Sequence, residues 1–277
     1  LRRGGRSRPS NPGMNAQAPP DLIPSGYLIG SLDRGLAALS QFIAQPEMSF
    51  TDFRQACGLD KASAKRILFT LEHNGLVKFN PSRKTYRLGL RLFELGTVAG
   101  ENLVLLKVAR DYMESVVNQI NETVILAQRI GNQQVYLHKI EGVGTVHLTT
   151  LIGHRRPLHY GLGKTILAYL CDDDMADCLP DQLPPYTPHT LSERETFLRD
   201  VKATRERGYA IDEEEFVEGV IGIGFPIFVN QRDIFGLVGV VGPISRMTCE
   251  KRELVVHLLR KVSQTISLRL DEYLNDN

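Results

Sequence analysis

A chain of 277 residues, 42% of them hydrophobic, can supply a core to each of two domains, and with no run near 18 apolar residues and no apolar leader it reads as a globular cytoplasmic protein. Four cysteines, Cys57, Cys171, Cys178 and Cys249, show no CxxC spacing, which argues against a zinc knuckle or a disulfide framework and for free thiols. The net charge of +1 conceals an asymmetry: residues 1–89 carry +7 and the remainder −6, so the front suits a polyanion and the back does not.

Residues 1–25 are rich in Arg, Gly, Ser, Pro and Asn and hold almost no large apolar group, so a disordered tail is expected. Its cations Arg2, Arg3, Arg6 and Arg8 precede Met14, and residues 1–13 read as an extension ahead of a start site rather than as a basic arm on DNA. From Ser31, a potential cap, the spacing of Leu32, Leu36, Leu39, Phe42 and Ile43 predicts a first helix ending at Gln45-Pro46, with its leucines in a core. Ser49-Phe50-Thr51-Asp52 reads as a capping-box-like start to a second short helix, closed at Cys57-Gly58.

The third helix, within 59–75, looks made to be read from outside. Ala64, Ile67, Leu68 and Leu71 form one apolar stripe, and the opposite side carries Ala62, Arg66, Phe69 and His73, flanked by Ser63, Lys65 and Thr70. Asp60 can cap its start and Gly75 can close its end. A helix with cations on one side is ordinarily a solvated surface helix. Its neighbours change that reading, because two helices joined by a Gly-containing turn are followed by β-prone runs at 76–79 and 85–88 around Asn80-Pro81-Ser82-Arg83-Lys84, a basic hairpin. This is a winged helix-turn-helix over residues 26–89. Lys61, Ala62, Ser63, Lys65 and Arg66 form its expected DNA-reading set, Arg66 suits bidentate guanine recognition, and Arg83 and Lys84 would neutralise phosphate. Without the tail cations this segment is only about +3, enough for a modest salt-sensitive contribution.

Residues 90–106 hold Leu92, Phe93, Leu95, Val98, Ala99, Leu103 and Leu105, more apolar surface than an exposed connector needs, so a linker helix that pairs with a second copy is expected. From 107 the pattern turns to mixed helix and strand. A helix with Val108, Tyr112, Val116, Val117 and Ile120 precedes strands at 123–130, 135–140 and 146–151. Gly161-Leu162-Gly163-Lys164 leads into an apolar helix whose start would either attract a carboxylate or phosphate or serve as a packing turn. A polar helix at 192–207 ends at Gly208 before Tyr209-Ala210-Ile211 and Asp212-Glu213-Glu214-Glu215. Strands at 219–229 and 234–241 flank an Asn230-Gln231 turn, and 250–274 forms a long last helix. Gly219, Gly222 and Gly224 lie inside a strand-like run, so they make room for a ligand or for close strands rather than form a dinucleotide loop.

In this order the parts resemble the IclR family of bacterial transcriptional regulators, over about residues 31–270. The residues that carry the resemblance are Ser31-Leu32-Asp33-Arg34-Gly35-Leu36, Gly58-Leu59-Asp60-Lys61-Ala62-Ser63 and Tyr86-Arg87-Leu88-Gly89 in the front. Behind them come Pro157-Leu158-His159 with Leu162-Gly163-Lys164, Gly208-Tyr209-Ala210 with Asp212 and Glu214-Glu215, Gly219, and Gly242-Pro243. The resemblance implies an α+β chain: an N-terminal winged helix-turn-helix, a linker helix and, over 107–277, a GAF-like α/β effector-binding domain with an antiparallel sheet. It implies homodimers, often paired into homotetramers, on palindromic double-stranded operators, acting as repressor or activator. It also implies a small organic acid, aromatic acids included, held by Gly161, Leu162, Gly163, Asp212, Gly222, Gly239 and Val241. Several relatives carry small polar side chains where this chain has Gly222, Gly239 and Val241, which leaves room for a larger or more apolar acid, and the loop 157–164 reads one residue shorter than usual.

The leading reading is a regulator of a catabolic operon and not an enzyme. An enzyme acting on a small carboxylate through His159, Lys164 and Asp212 is the alternative, but no nucleophile elbow, HExxH motif or base placed beside Ser or Cys supports it. A sensor that has lost DNA binding is disfavoured by the retained basic wing. No cofactor or metal is expected: His138, His147 and His154 share no ligand spacing, and Asp172-Asp173-Asp174 reads as a helix start.

Overall fold

In the computed structural model, which describes residues 27–143 and 152–276, the chain divides after Ala99 into two units. The tail expected at 1–25, the strand expected at 146–151 and His147 lie outside the described residues.

The first unit runs α1 (Gly30–Ala44), β1 (Glu47–Ser49), α2 (Phe50–Ala56), α3 (Lys61–His73), β2 (Val77–Asn80), β3 (Thr85–Leu88) and into α4 (Leu90–Glu101). Local chemistry marks the helix ends. The Ser49 hydroxyl accepts from the Asp52 N–H while the Asp52 carboxylate accepts from the Ser49 N–H. Asp60 Oδ1 accepts from the Ala62 and Ser63 N–H groups at 2.9 Å. At the far end of α3, Gly75 takes φ +71°, and its N–H and that of Leu76 donate to Glu72 O and Leu71 O. Ala64, Leu68 and Leu71 are buried with Phe42, Phe53, Met48, Val77 and Tyr86, which is the core of the unit.

Three expectations need correction here. Helix α1 starts at Gly30 with no side-chain cap, so Ser31 is inside it. Its core contribution is Ala38 and Phe42, whereas Leu32 and Leu36 are 57% and 53% exposed, because they line an open cleft that faces Ser63, Arg66 and Ile67 of α3. The three-residue strand β1 has no detectable period, yet it pairs antiparallel with β3, Met48 opposite Tyr86, and makes a three-stranded sheet β1-β3-β2. The single linker helix expected at 90–106 is broken at 102–103: α4, which contains Gly96 and Gly100, ends at Glu101, and a new helix starts at Val104, in which Leu105 belongs to the second unit's core. No residue of α4 is buried, and Leu90 and Phe93 are more than two-thirds exposed.

The second unit runs α5 (Val104–Ile120), β4 (Thr123–Ile130), β5 (Gln133–Ile140), β6 (Arg155–Pro157), α6 (Lys164–Leu167), α7 (Asp172–Cys178), α8 (Arg194–Arg207), β7 (Ala210–Glu213), β8 (Val220–Val229), β9 (Asp233–Pro243) and α9 (Cys249–Asn275). One antiparallel sheet has the order β6-β5-β4-β9-β8-β7. Alternate residues of β4 face opposite ways: Val124 and Leu126 pack with α5 and α9, and Ile125 and Ala127 with α6 and α8. Beyond the end of β7 the outer edge of β8 is satisfied by one stripe of α9. The Ser263 hydroxyl donates to Pro226 O, and the Phe228 and Asn230 N–H groups donate to Ser267 Oγ and Asp271 Oδ1. The buried Glu122 carboxylate, at the turn from α5 into β4, receives Arg246 and Lys251 at 2.6 and 2.7 Å, which pins the start of α9.

Candidate functional site

In the first unit the reading face of α3 is free of its own core. Lys61, Ala62, Lys65 and Arg66 are exposed and Ser63 is half-buried, while Phe69 stands 54% exposed among them with the Lys65 ammonium 5.4 Å from its ring centre. No carboxylate pairs with Lys61, Lys65 or Arg66 among the described residues, so their charge is available to an outside anion. On the hairpin, Lys84 takes φ +54° at the tip and is exposed, whereas Arg83 is tied to Glu47 at 3.2 Å, a carboxylate that Thr85 also holds. Such a surface pair is weak and exchanges readily for a phosphate.

In the second unit the seven expected effector residues come together on the α6 and α8 side of the sheet. Gly161 takes φ +50°, and a β-carbon there would stand 3.0 Å from Asp212 Oδ2. Gly163 wedges against Leu158 O, 2.5 Å from where its β-carbon would be. Leu162, between them, is buried against the glycines of β8 and β9: added β-carbons would meet its side chain at 3.1 Å from Gly222, 3.3 Å from Gly224 and 2.5 Å from Gly239. Gly222 lies opposite Val241 in the ladder and Gly224 opposite Gly239. The slot cleared by three glycines therefore holds Leu162. The Gly161–Lys164 stretch is packed as a turn: residues 162–168 are all buried, and the 3-10 turn Gly161–Gly163 runs directly into the single turn of α6.

Lys164 is 1% exposed, with its ammonium 2.6 Å from Asp200 Oδ2 and 2.5 Å from Glu215 Oε1. Burial pushes the Glu215 carboxyl up to about 7 against the pull of that ammonium, and burial likewise raises Asp212 above the usual carboxylate range. Asp212 accepts the Glu215 N–H at 3.0 Å. Lys164 is thus committed to Asp200 and Glu215 and forms no acid/base set with His159, whose imidazole burial drives toward the neutral form. Among the described residues no group of three or more His, Cys, Asp or Glu side chains is placed to hold a metal ion, and no helix is long and apolar enough to cross a membrane.

Two residues of this region escaped the sequence reading. Tyr136 and Arg156 stand on β5 and β6, where Arg156 is opposite Gln134. Burial holds the Tyr136 hydroxyl up to about 12, with the Arg156 charge pulling it down and the Asp212 charge pushing it up, so both ions act on it. The guanidinium of Arg156 lies 5.8 Å from the Phe216 ring centre, and Phe216, Tyr160 and Tyr186 pack pairwise with centroids 4.4 to 5.5 Å apart. The Arg155-Arg156 pair directly ahead of the Pro157-Leu158-His159 motif, in a net acidic domain, was the available signal.

Residues 31–81 match the IclR helix-turn-helix domain and residues 98–268 match the bacterial transcriptional regulator IclR C-terminal domain. The chain is 28% identical over 239 residues to the HTH-type transcriptional regulator KipR of Bacillus subtilis, covering 86% of this chain and 95% of that one. It is 30% identical over 244 residues to the HTH-type transcriptional repressor AllR of Escherichia coli K12, covering 87% and 90%. An IclR homologue from Microbacterium hydrocarbonoxydans, solved in complex with 4-hydroxybenzoate, superposes with a TM-score of 0.76 at 23% identity over 87% of this chain and 98% of that one.

Proposed function

The chain belongs to the IclR family of bacterial transcriptional regulators, and from that premise we propose that it controls a catabolic operon in response to a small organic acid bound in its C-terminal domain. It is a DNA-binding regulator and not an enzyme; the acid, the operator and the assembly are the proposal. The observation that carries it is the unpaired cationic face of α3, with Lys61, Lys65 and Arg66 exposed above a fully packed stripe. Lys61, Ala62, Ser63, Lys65 and Arg66 enter the major groove, and Arg83 and Lys84 of the wing meet phosphate. The unburied apolar side chains of α4, Leu90, Phe93, Leu95 and Val98, pair with a second copy, so that a dimer, or a tetramer of two dimers, occupies a palindromic site in the cytoplasm.

Gly161, Leu162, Gly163, Asp212, Gly222, Gly239 and Val241 form the acid's site, and Leu162 must shift from its slot for a ligand to enter. An acid preferred by one dimer geometry alters the spacing of the reading helices, and repression relieved or activation promoted by ligand would use the same parts. The test is a titration of the protein against its own upstream DNA, with and without candidate acids. A ligand-dependent change in binding that Gly161→Val abolishes, while the variant still shifts the DNA, supports the site; a normal ligand response in Gly161→Val defeats it.

A further inference from the structure

The aromatic side chains and the arginine beside the acid site have no assigned task. Arg156 is half-buried on the edge strand β6, and its side chain makes no ion pair or hydrogen bond to any described residue. Its guanidinium lies over the Phe216 ring with no carboxylate of its own, so it is open to an outside anion, and its planar fork matches a carboxylate. Its side chain lies on the same sheet face as Gln134, its ladder partner, and is close enough to Tyr136, Tyr160 and Phe216 to act on all three. Gln134 Oε1 and Thr165 Oγ1, both fully buried on that face, have no hydrogen-bond partner, so polar capacity is stored under the same loop.

The aromatic set gives the rest of the ligand its character. Tyr160 follows His159, stacked on it at 4.5 Å, and immediately precedes Gly161, while Phe216 lies four residues after Asp212. Tyr186 closes the triangle and is 40% exposed, so one flank of the cluster faces outward. A flat ring packs on such rings in offset or edge-to-face geometry, and a saturated two- or three-carbon acid would leave that surface uncovered. Because the floor offers Gly222, Gly239 and Val241 in place of hydrogen-bonding side chains, the charge of the ligand has to be met from the rim.

We infer that Arg156 is the carboxylate anchor of the effector and that Tyr160, Tyr186 and Phe216 are its ring platform, so the effector is an aromatic monocarboxylate. This rests on the proposed acid site, of which Arg156 is the missing cation. Asp212, whose charge also acts on Tyr136, disfavours a second carboxylate, which limits the ligand to one acid group.

The full chain is titrated with benzoate, 4-hydroxybenzoate and phenylacetate, with benzamide as the uncharged match, and with glyoxylate and pyruvate as aliphatic acids; thermal shift and calorimetry read binding. Aromatic acids are expected to bind and benzamide to bind far more weakly. Arg156→Gln should lower benzoate affinity about tenfold to a hundredfold, to the level of benzamide, with Arg156→Lys between the two. Melting of each variant without ligand checks that it folds, and wild-type competition against benzamide keeps the test open if Arg156→Gln does not. Equal binding of benzoate and benzamide, or unchanged benzoate affinity in Arg156→Gln, overturns the inference. If glyoxylate or pyruvate binds in a manner lost in Gly161→Val but retained in Arg156→Gln, the acid site stands and this assignment fails. If no acid of either kind binds, the acid site falls too.

Discussion

Leu162 Cδ1 lies 2.5 Å from the position that a β-carbon on Gly239 would occupy, and the same side chain reaches Gly222 and Gly224. The glycines of β8 and β9 are therefore sized to a leucine on a loop, and the leucine is a plug that the ligand must displace. Gly239→Ala should cost about 1 to 3 kcal/mol through overpacking. Adding Leu162→Ala to it should recover part of that loss, although the leucine substitution alone destabilises by leaving a void. Urea unfolding of the two single variants and the double variant measures the coupling, and strictly additive losses would show that the two side chains do not compete for one space.

Lys164 holds two carboxylates from different elements, Asp200 of α8 and Glu215 after β7, at 1% exposure. Removing the ammonium leaves both acids without their buried partner. Lys164→Met should lower stability at neutral pH by about 3 to 5 kcal/mol. The loss should shrink at pH 5, where the Glu215 carboxyl is protonated and no longer needs the ammonium. A denaturation midpoint insensitive to the substitution at both pH values would mean that the three charges are not coupled.

Burial raises the folded-state Glu215 carboxyl from 4.5 to about 7, so between those values the folded chain binds a proton that the unfolded chain has released. Its stabilising contribution is complete below about 4.5 and is lost as the pH rises through about 7. The groups facing it are Lys164, Asp200 and Asp212. The melting temperature of the wild type should fall from pH 5.5 to pH 8 more steeply than that of Glu215→Gln; parallel profiles would refute the assignment of this slope to Glu215.

Arg66 projects from the exposed side of α3, its guanidinium 3.5 Å from the Ser63 hydroxyl. Arg66→Ala should weaken binding to the protein's own upstream DNA by about 1 to 3 kcal/mol and relax preference at one base position. Lys84→Ala, by contrast, should weaken all sequences alike and flatten the salt dependence. Fluorescence anisotropy against a set of single-base variants separates the two, and an unchanged base profile in Arg66→Ala would remove it from base reading.

The amino-acid sequence by itself determined the winged helix-turn-helix and strands β4, β5, β8 and β9 of the second unit. Their signals are local: Ser49 and Asp60 cap within three residues, the apolar stripe of α3 repeats at helical spacing, and β4 reads as a β-prone run. It was also enough to place the loop and strand glycines near one another by resemblance. The tertiary structure alone decided that β1 exists, because three residues form a strand only when β3 lies beside them. It decided that Leu32 and Leu36 stay outside the core and that the linker breaks before Leu105, since periodicity says which side is apolar but not what covers it. Above all it decided that Leu162 fills the glycine slot and that Arg156, Tyr136 and Asp212, 76 residues apart at their extremes (136 to 212), share one field. Which side chain meets which across a sheet depends on register and burial, and those arise from the packing of distant segments rather than from the order of residues within any one of them.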